Sequence, residues 1–270
     1  MKANNLTISI PYNGCDKKPQ CPYCVSKITG SMKSNPELMA RNTTKVLTMA
    51  RLSQVSSVLL TGKGEPCLNI DEVIKYIRAF KEFPVELQTN GIFLSKYTDY
   101  VQVLADAGMN VIAVSVDKDT NTLTLEDLAK AIHRAGMLLR VSFNVTKTDL
   151  SFSDLLYSFR IRGVDQFTLR NIVAPNFTSE TPQSVWIHDN VDLKAYPRLL
   201  WEMKTACKEM GHHLRSLAYG AEVYDLNGVA VSFSDYCIQD NNNGEDLRSL
   251  IYQEDGHCYT SWNSKASMLF

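Results

Sequence analysis

Apolar positions in residues 6–171 recur with two alternating periods. Short β-branched runs bounded by turn residues read as strands, and longer stretches with apolar residues at helical spacing separate them. The pattern predicts strands near 6–11, 56–61, 85–90, 110–117, 138–146 and 165–171, with helices near 36–53, 70–81, 95–107, 124–135 and 151–160. Asn69, Thr124 and Ser151 each stand just before acidic residues, as N-caps do. Leu125, Leu128, Ile132 and Ala135 make one apolar stripe, and Gly108 and Gly136 supply helix stops. Six strand–helix units in this order predict an α/β fold around a parallel sheet.

The predicted strands are not apolar throughout, as parallel strands covered on both faces would be. Glu86, Gln88 and Asn90 alternate with Val85, Leu87 and Thr89, and Ser115 and Asp117 oppose Ile112, Val114 and Val116. Arg140, Ser142 and Asn144 oppose Leu139, Val141 and Phe143, while Gln166, Thr168 and Arg170 oppose Phe167 and Leu169. One face therefore suits a cover of helices, and the other collects groups that are costly to bury unpaired. A curved sheet around a wet, ligand-holding lumen satisfies both, so the expected fold is a partial (βα)6 TIM-like barrel. An antiparallel sheet with one solvated face is the alternative, and the intervening helices fit crossovers better than hairpins.

After Asn171 the composition changes. A loop rich in Pro, Asn, Ser and Thr (173–190) leads to a long helix near 194–211, at whose end His212 and His213 suit the helix dipole. Gly-containing turns at 226–228 and 254–256 then each separate two strand-like runs. The expected organisation is a core barrel over 1–172 and a C-terminal helix and β-hairpin extension over 173–270 that closes the barrel.

The chain has 270 residues, with 28 Lys and Arg against 29 Asp and Glu, so no global field favours nucleic acid or an anionic membrane. No apolar run approaches the roughly 20 residues of a membrane helix, and Met1–Asn13 lacks a signal-peptide core, so a cytoplasmic location is expected. Seven cysteines are an odd number for a disulfide framework, which turns attention to metal binding or catalysis.

Three of the seven, Cys15, Cys21 and Cys24, fall in one loop after the first predicted strand, where ligands at the carboxyl end of a parallel sheet are expected. They suit zinc with a fourth ligand from elsewhere, an iron–sulfur cluster with one iron left open, or separate core thiols. Cys237 and Cys258 form no second tight group, and an inert buried thiol is the commoner outcome for such residues. Directly after the second strand comes Thr61-Gly62-Lys63-Gly64-Glu65-Pro66, whose glycines permit close backbone approach to a ligand and whose Glu65 supplies an acceptor.

Together the cysteine loop, the Lys63-Gly64-Glu65-Pro66 turn and the Ser115-Val116-Asp117 segment resemble the radical S-adenosylmethionine (SAM) superfamily over residues 6 to 171. Tyr23 matches the aromatic position before the last cysteine. This chain has five residues between its first two cysteines where three are usual, and Lys63 stands where a glycine is usual. The resemblance implies an enzyme in which Cys15, Cys21 and Cys24 ligate a [4Fe-4S] cluster whose fourth iron binds SAM, and a one-electron reductant such as a flavodoxin or ferredoxin. It further implies cofactor contacts from Tyr23, Gly62, Gly64, Glu65, Asn90, Ser115, Asp117 and Asn144. Arg170, facing inward at the end of the sixth strand, is the candidate clamp for an anionic group, whereas Arg140 reads as structural. The expected substrate is a small organic molecule, nucleotides included. The alternatives are a peptide substrate, or a zinc-binding protein on an α/β scaffold.

Overall fold

The computed structural model describes residues 2–29, 32–120, 123–174, 181–216, 222–234, 247–262 and 264–270. Its first six strands are β1 (Ala3–Ile10), β2 (Ser57–Gly62), β3 (Val85–Thr89), β4 (Val111–Val116), β5 (Leu138–Val145) and β6 (Gln166–Asn171). They pair in chain order, all in parallel. The crossovers carry α1 (Val25–Thr29), α2 (Pro36–Leu52), α3 (Ile70–Ala79), α4 (Ile92–Lys96), α5 (Asp99–Ala107), α6 (Leu123–Arg134) and α7 (Phe152–Arg160). The α/β architecture is thus a parallel sheet of (βα) units, with predicted and observed strand bounds agreeing to within about three residues.

The alternating residues divide as their chemistry requires. Leu6, Ile8, Ile10, Val58, Leu60, Leu87, Ile112, Leu139, Val141, Phe167 and Leu169 join one buried core with the helices. The stripe on α6 contributes Leu125, Leu128 and Ile132 to it. The opposite face carries a polar ladder: Arg140 binds Glu86, and its Nε donates to Gln166 Oε1 at 2.8 Å. Gln88 Nε2 donates to Glu86 Oε1 at 3.2 Å, which completes a network that satisfies the buried Glu86 and holds Arg140 in the structural role expected of it.

Helix entries differ in detail. Ser151 forms the expected capping box with Asp154, whereas Asn69 makes no side-chain cap, because a 3-10 turn over Pro66–Asn69 already leads into α3. The helix α6 begins at Leu123, so Thr124 lies inside it. The helix expected over 95–107 is two, α4 and α5, because Tyr97 and Thr98 interrupt it.

The remaining chain adds α8 (Pro182–Asn190), α9 (Ala195–Met210), β7 (His212–Ser216), β8 (Glu222–Leu226), β9 (Val229–Ser234), β10 (Leu247–Tyr252) and β11 (Cys258–Tyr259). Asn227 and Gly228, both at positive φ, make the tight turn between β8 and β9. The strand order is β11-β10-β1-β2-β3-β4-β5-β6-β9-β8-β7. Among the described residues the extension does not close the sheet into a barrel. The extension pairs β9 with β6 and β10 with β1, both in parallel, and so lengthens the open sheet at both edges. His212 and His213 begin β7 instead of ending α9, and His213 Nε2 lies 2.5 Å from Glu222 Oε2 on the neighbouring strand. Among the described residues no helix is long and apolar enough to cross a membrane.

Candidate functional site

The cysteine loop runs over the carboxyl ends of β1–β4, anchored at its start by three contacts. Tyr12 N donates to Glu254 Oε2 at 3.0 Å, Asn13 Nδ2 to the Leu68 carbonyl at 2.7 Å, and Glu65 N to the Gly14 carbonyl at 2.9 Å. The last of these brings two backbones together so closely that a Cβ on Gly64 would stand 2.0 Å from the Gly14 oxygen. Gly64 is therefore required by the cysteine loop. The close approach anticipated for a ligand is made by the chain itself. Gly62 is less confined, a Cβ there meeting the Ile10 oxygen at 3.3 Å.

Past the last cysteine, Cys24 N donates to the Cys21 carbonyl and Lys27 N to the Cys24 carbonyl, which turns the loop into α1. Tyr23, Ile28, Ile172, Ile187 and Val191 form a second small core, with Cys21 and Trp186 packed against it. The Tyr23 and Trp186 rings lie 5.8 Å apart. The helix α8, which the sequence pattern had assigned to a loop, is thus a cover for the cysteine segment.

Two carboxylates organise the site. Glu65 is buried, and its Oε1 accepts from Thr89 Oγ1 at 2.6 Å and Cys67 N at 3.0 Å, while Oε2 accepts from Asn90 N at 2.8 Å. Burial pushes its pKa up, opposed by these donors. The Cys67 side chain is also hydrogen-bonded to Glu65, so four donors converge on this carboxylate. Asp117 likewise takes four: Oδ2 accepts from the Tyr23 hydroxyl at 2.5 Å and Lys17 Nζ at 3.1 Å, and Oδ1 accepts from Thr120 Oγ1 at 2.7 Å and Asp119 N at 3.2 Å. Burial works against its charge, yet these donors and the Lys17 cation hold its pKa below the usual carboxylate value.

The other expected site residues separate into two groups. Asn90 is committed locally, its Nδ2 donating to Asp16 Oδ1 at 2.7 Å and its Oδ1 accepting from Ile92 N, with Cys15 Sγ 3.9 Å away. Ser115, Asn144 and Arg170 instead remain half-buried along the polar face, with Asn144 directly opposite Arg170 in the β5–β6 register. Among the described residues, Ser9 Oγ and Ser142 Oγ on this face, and Gln253 Oε1 beside Ser9, are buried polar atoms without a hydrogen-bond partner. Gln253 follows β10, one step beyond the Ile8–Tyr252 pair, and so comes alongside Ser9. Sequence alone could not find Gln253, because nothing local tells that residues 247–252 pair with the first strand.

Cys15, Cys21 and Cys24 are half-buried and in no disulfide. Their surroundings differ. Burial raises the Cys15 thiol's pKa, and the charges of Glu65, Asp16 and Cys21 raise it further, against a backbone hydrogen bond at Lys17. Burial disfavours the Lys17 charge, but Cys21 and Asp117 more than offset this and raise its pKa. Burial lowers the pKa of Lys63, with Glu254 and Cys24 opposing, and its Nζ lies 5.7 Å from the Trp262 ring centroid. Among the described residues no three or more Cys, His, Asp and Glu side chains converge as ligands of one ion would. Thiolates on a cubane bind different irons and stand farther apart than thiolates on a single zinc, so three half-buried sulfurs in one anchored loop fit a cluster's donor set. Cys67 is buried beside Glu65 and Thr89, Cys207 and Cys258 are buried elsewhere, and Cys237 lies outside the described residues.

Residues 9–137 match the family described as the Radical SAM superfamily. The chain is 25% identical over 175 residues to a GTP 3',8-cyclase of Clostridium acetobutylicum, an alignment covering 62% of this chain and 50% of that protein. It is 32% identical over 127 residues to a probable GTP 3',8-cyclase of Methanococcus maripaludis, covering 43% of this chain and 41% of that one. The chain thus spans about half the length of the curated relatives it matches. In fold it is similar to Streptococcus suis SuiB bound to precursor peptide SuiA, with a TM-score of 0.61 at 18% identity over 95% of this chain and 59% of SuiB.

Proposed function

We propose that this chain, whose residues 9–137 form a radical SAM superfamily domain, reductively cleaves SAM and abstracts hydrogen from a small polar organic substrate, of which a nucleotide is the favoured class. Membership of that superfamily implies a [4Fe-4S] cluster and SAM, and Cys15, Cys21 and Cys24 would hold the cluster, which when bound would supply the electron for reductive cleavage of the sulfonium. The observation that carries the proposal is the placement of the three cysteines over a sheet whose polar face keeps Ser9, Ser142 and Gln253 unpaired and buried. Unpaired buried polar atoms cost free energy, and a polar ligand in the lumen would recover it.

In this reading Cys15, Cys21 and Cys24 hold the cluster. Tyr23 and Asp117 hold the loop that carries it, and Gly64 lets that loop seat against the second strand. Glu65 braces the β2 and β3 ends and sets a buried carboxylate beside the cysteine loop, where the SAM amino end would come. Ser115 and Asn144 are placed for cofactor hydroxyl or carboxylate groups, and Arg170 for an anionic group, which a nucleotide would supply. Sequence similarity to GTP 3',8-cyclases supports the nucleotide class. The small core of Tyr23, Ile187 and Val191 covers the Tyr23 end of the cysteine segment and would limit water there, as radical chemistry requires.

The test is anaerobic reconstitution with iron and sulfide, then incubation with SAM and dithionite. Absorption near about 400 nm from thiolate-ligated iron and release of 5'-deoxyadenosine are the expected results. Zinc retention without either would overturn the proposal.

A further inference from the structure

We propose that the hydroxyls of Ser142, Thr168 and Ser232, with the Arg170 guanidinium one step farther along the sheet, form a subsite for a phosphate group of the substrate. This rests on the function proposed above and narrows it, to a phosphorylated molecule whose charged end lies on β5, β6 and β9.

The register brings these groups together. Ser115, Ser142, Thr168 and Ser232 are successive partners across β4, β5, β6 and β9, so four hydroxyls make one row near the carboxyl ends of parallel strands. Their chain neighbours Val114, Val141, Leu169 and Val231 lie in the buried core, which puts the row on the opposite, polar face. Thr168 Oγ1 and Ser232 Oγ lie 3.0 Å apart, a contact that uses one hydroxyl hydrogen and leaves the other to donate. Ser142 stands between Ser115 and Thr168 at 1% exposure, and its Oγ has no hydrogen-bond partner among the described residues. A buried hydroxyl without a partner is costly, and an acceptor oxygen brought by a ligand would offset that cost.

Charge selects the kind of ligand. The next row toward the carboxyl ends pairs Asn144 with Arg170, both half-buried, and alternation sets them on the same face as Ser142 and Thr168. Strands β5, β6 and β9 carry no Asp or Glu. Arg140, one step back along β5 from Ser142, is paired with Glu86. Asp117, which follows β4, is taken up by Lys17, Tyr23 and Thr120. The buried acids Glu65, Glu86 and Glu254 belong to the β2, β3 and β10 side of the sheet. Hydroxyl donors beside a planar guanidinium, with no carboxylate among them, suit the several acceptor oxygens of a phosphate. The carboxylate of SAM shares that oxyanion chemistry, so the test must separate the two.

The experiment is calorimetric titration of the full chain with inorganic triphosphate at fixed ionic strength, and with SAM after reconstitution. Wild type is expected to bind triphosphate. Arg170→Gln should weaken that binding about 10-fold or more, as loss of a charged hydrogen bond does, and Ser142→Ala and Thr168→Val about 2- to 10-fold each. Arg51→Gln, which removes a cation held in an exposed pair with Glu82, should bind as wild type does and so controls for general charge. Ser142→Ala also separates binding from a structural role. Without ligand it should melt no lower than wild type, since it removes an unpaired buried hydroxyl, and triphosphate should raise its Tm less than that of wild type. Wild type that does not bind triphosphate, or Ser142, Thr168 and Arg170 variants that all bind it as wild type does, would overturn the subsite. Variants that lose SAM and keep triphosphate would give the row to the SAM carboxylate and overturn it equally. Wild type that binds triphosphate yet takes up no cluster would refute the proposed function while supporting the phosphate site.

Discussion

Replacing Gly64 with alanine distinguishes a glycine kept for a ligand from one kept for the fold. The added Cβ would stand 2.0 Å from the Gly14 oxygen and 2.9 Å from Tyr12 Cε2, whereas ordinary contacts begin at 3.4 Å. The two backbones must therefore separate by about 1.4 Å, which strains or breaks the 2.9 Å hydrogen bond from Glu65 N to the Gly14 carbonyl. Overpacking of this kind costs about 1–3 kcal/mol, and the lost hydrogen bond about 0.5–1.5 kcal/mol more. A total of about 2–4 kcal/mol corresponds to a fall in Tm of about 4–16 °C for a chain of this size. Circular dichroism melting of the metal-free protein reads this directly. Because the clash is with Gly14, iron uptake should fall as well, the loop that carries Cys15 having been displaced. A metal-free Gly64→Ala protein that melts with wild type and loses only SAM binding would refute the reasoning and return Gly64 to ligand contact.

Alanine at Cys15, Cys21 or Cys24 should each abolish cluster assembly, read by iron content and the near-400 nm band that thiolate-ligated iron gives at roughly that wavelength; full iron in any one variant would remove that cysteine from the donor set. Asp117 has its pKa lowered from an ordinary 3.8, so its contribution to stability is fully present above that value and is lost as pH falls through its lower folded value. Asp117→Asn should therefore melt below wild type at neutral pH and approach it in acid, and a constant gap across that window would contradict the assignment. Arg170→Lys keeps the charge and loses the planar fork. If Arg170 holds substrate, product formation should fall while uncoupled SAM cleavage survives; if it holds the SAM carboxylate, both should fall, and unchanged values for both would exclude it from the site.

Much of the sheet was legible because its information is local. Alternation within a single strand, as in Arg140-Val141-Ser142-Phe143, states which side faces helices without any knowledge of neighbours. The cysteine spacing and its position after β1 are likewise local. What escaped is what depends on distant pairing. Lys17 and Tyr23 meet Asp117 across 100 and 94 positions, and Tyr12 meets Glu254 across 242. No periodicity carries such pairings. The C-terminal strands were recognisable as strands, but their places were not, because a hairpin-sized segment adds equally well to either open edge of a parallel sheet.

The same distinction bears on the residues expected to contact a cofactor, several of which are also engaged in holding the protein together. Asp117, Asn90 and Gly64 have the side chains, or lack of one, that a ligand would need, yet each is engaged by the cysteine loop or its neighbour. A loop that must present three sulfurs at fixed separations has a large entropic cost of ordering, and it has no regular secondary structure of its own to meet that cost. Its order has to come from tertiary bonds at the strand ends, and polar residues at those ends serve that purpose first. The polar face also carries Ser115, Ser142, Asn144 and Arg170 on β4–β6, with Ser9 and Gln253 on the β1–β10 side. On the function proposed above, selection among substrates would fall to these two flanks of the sheet. One of them is built in part by the C-terminal extension, so Gln253→Leu, with the loop anchor Glu254 left in place, should alter substrate choice while leaving iron uptake by the cysteine loop unchanged.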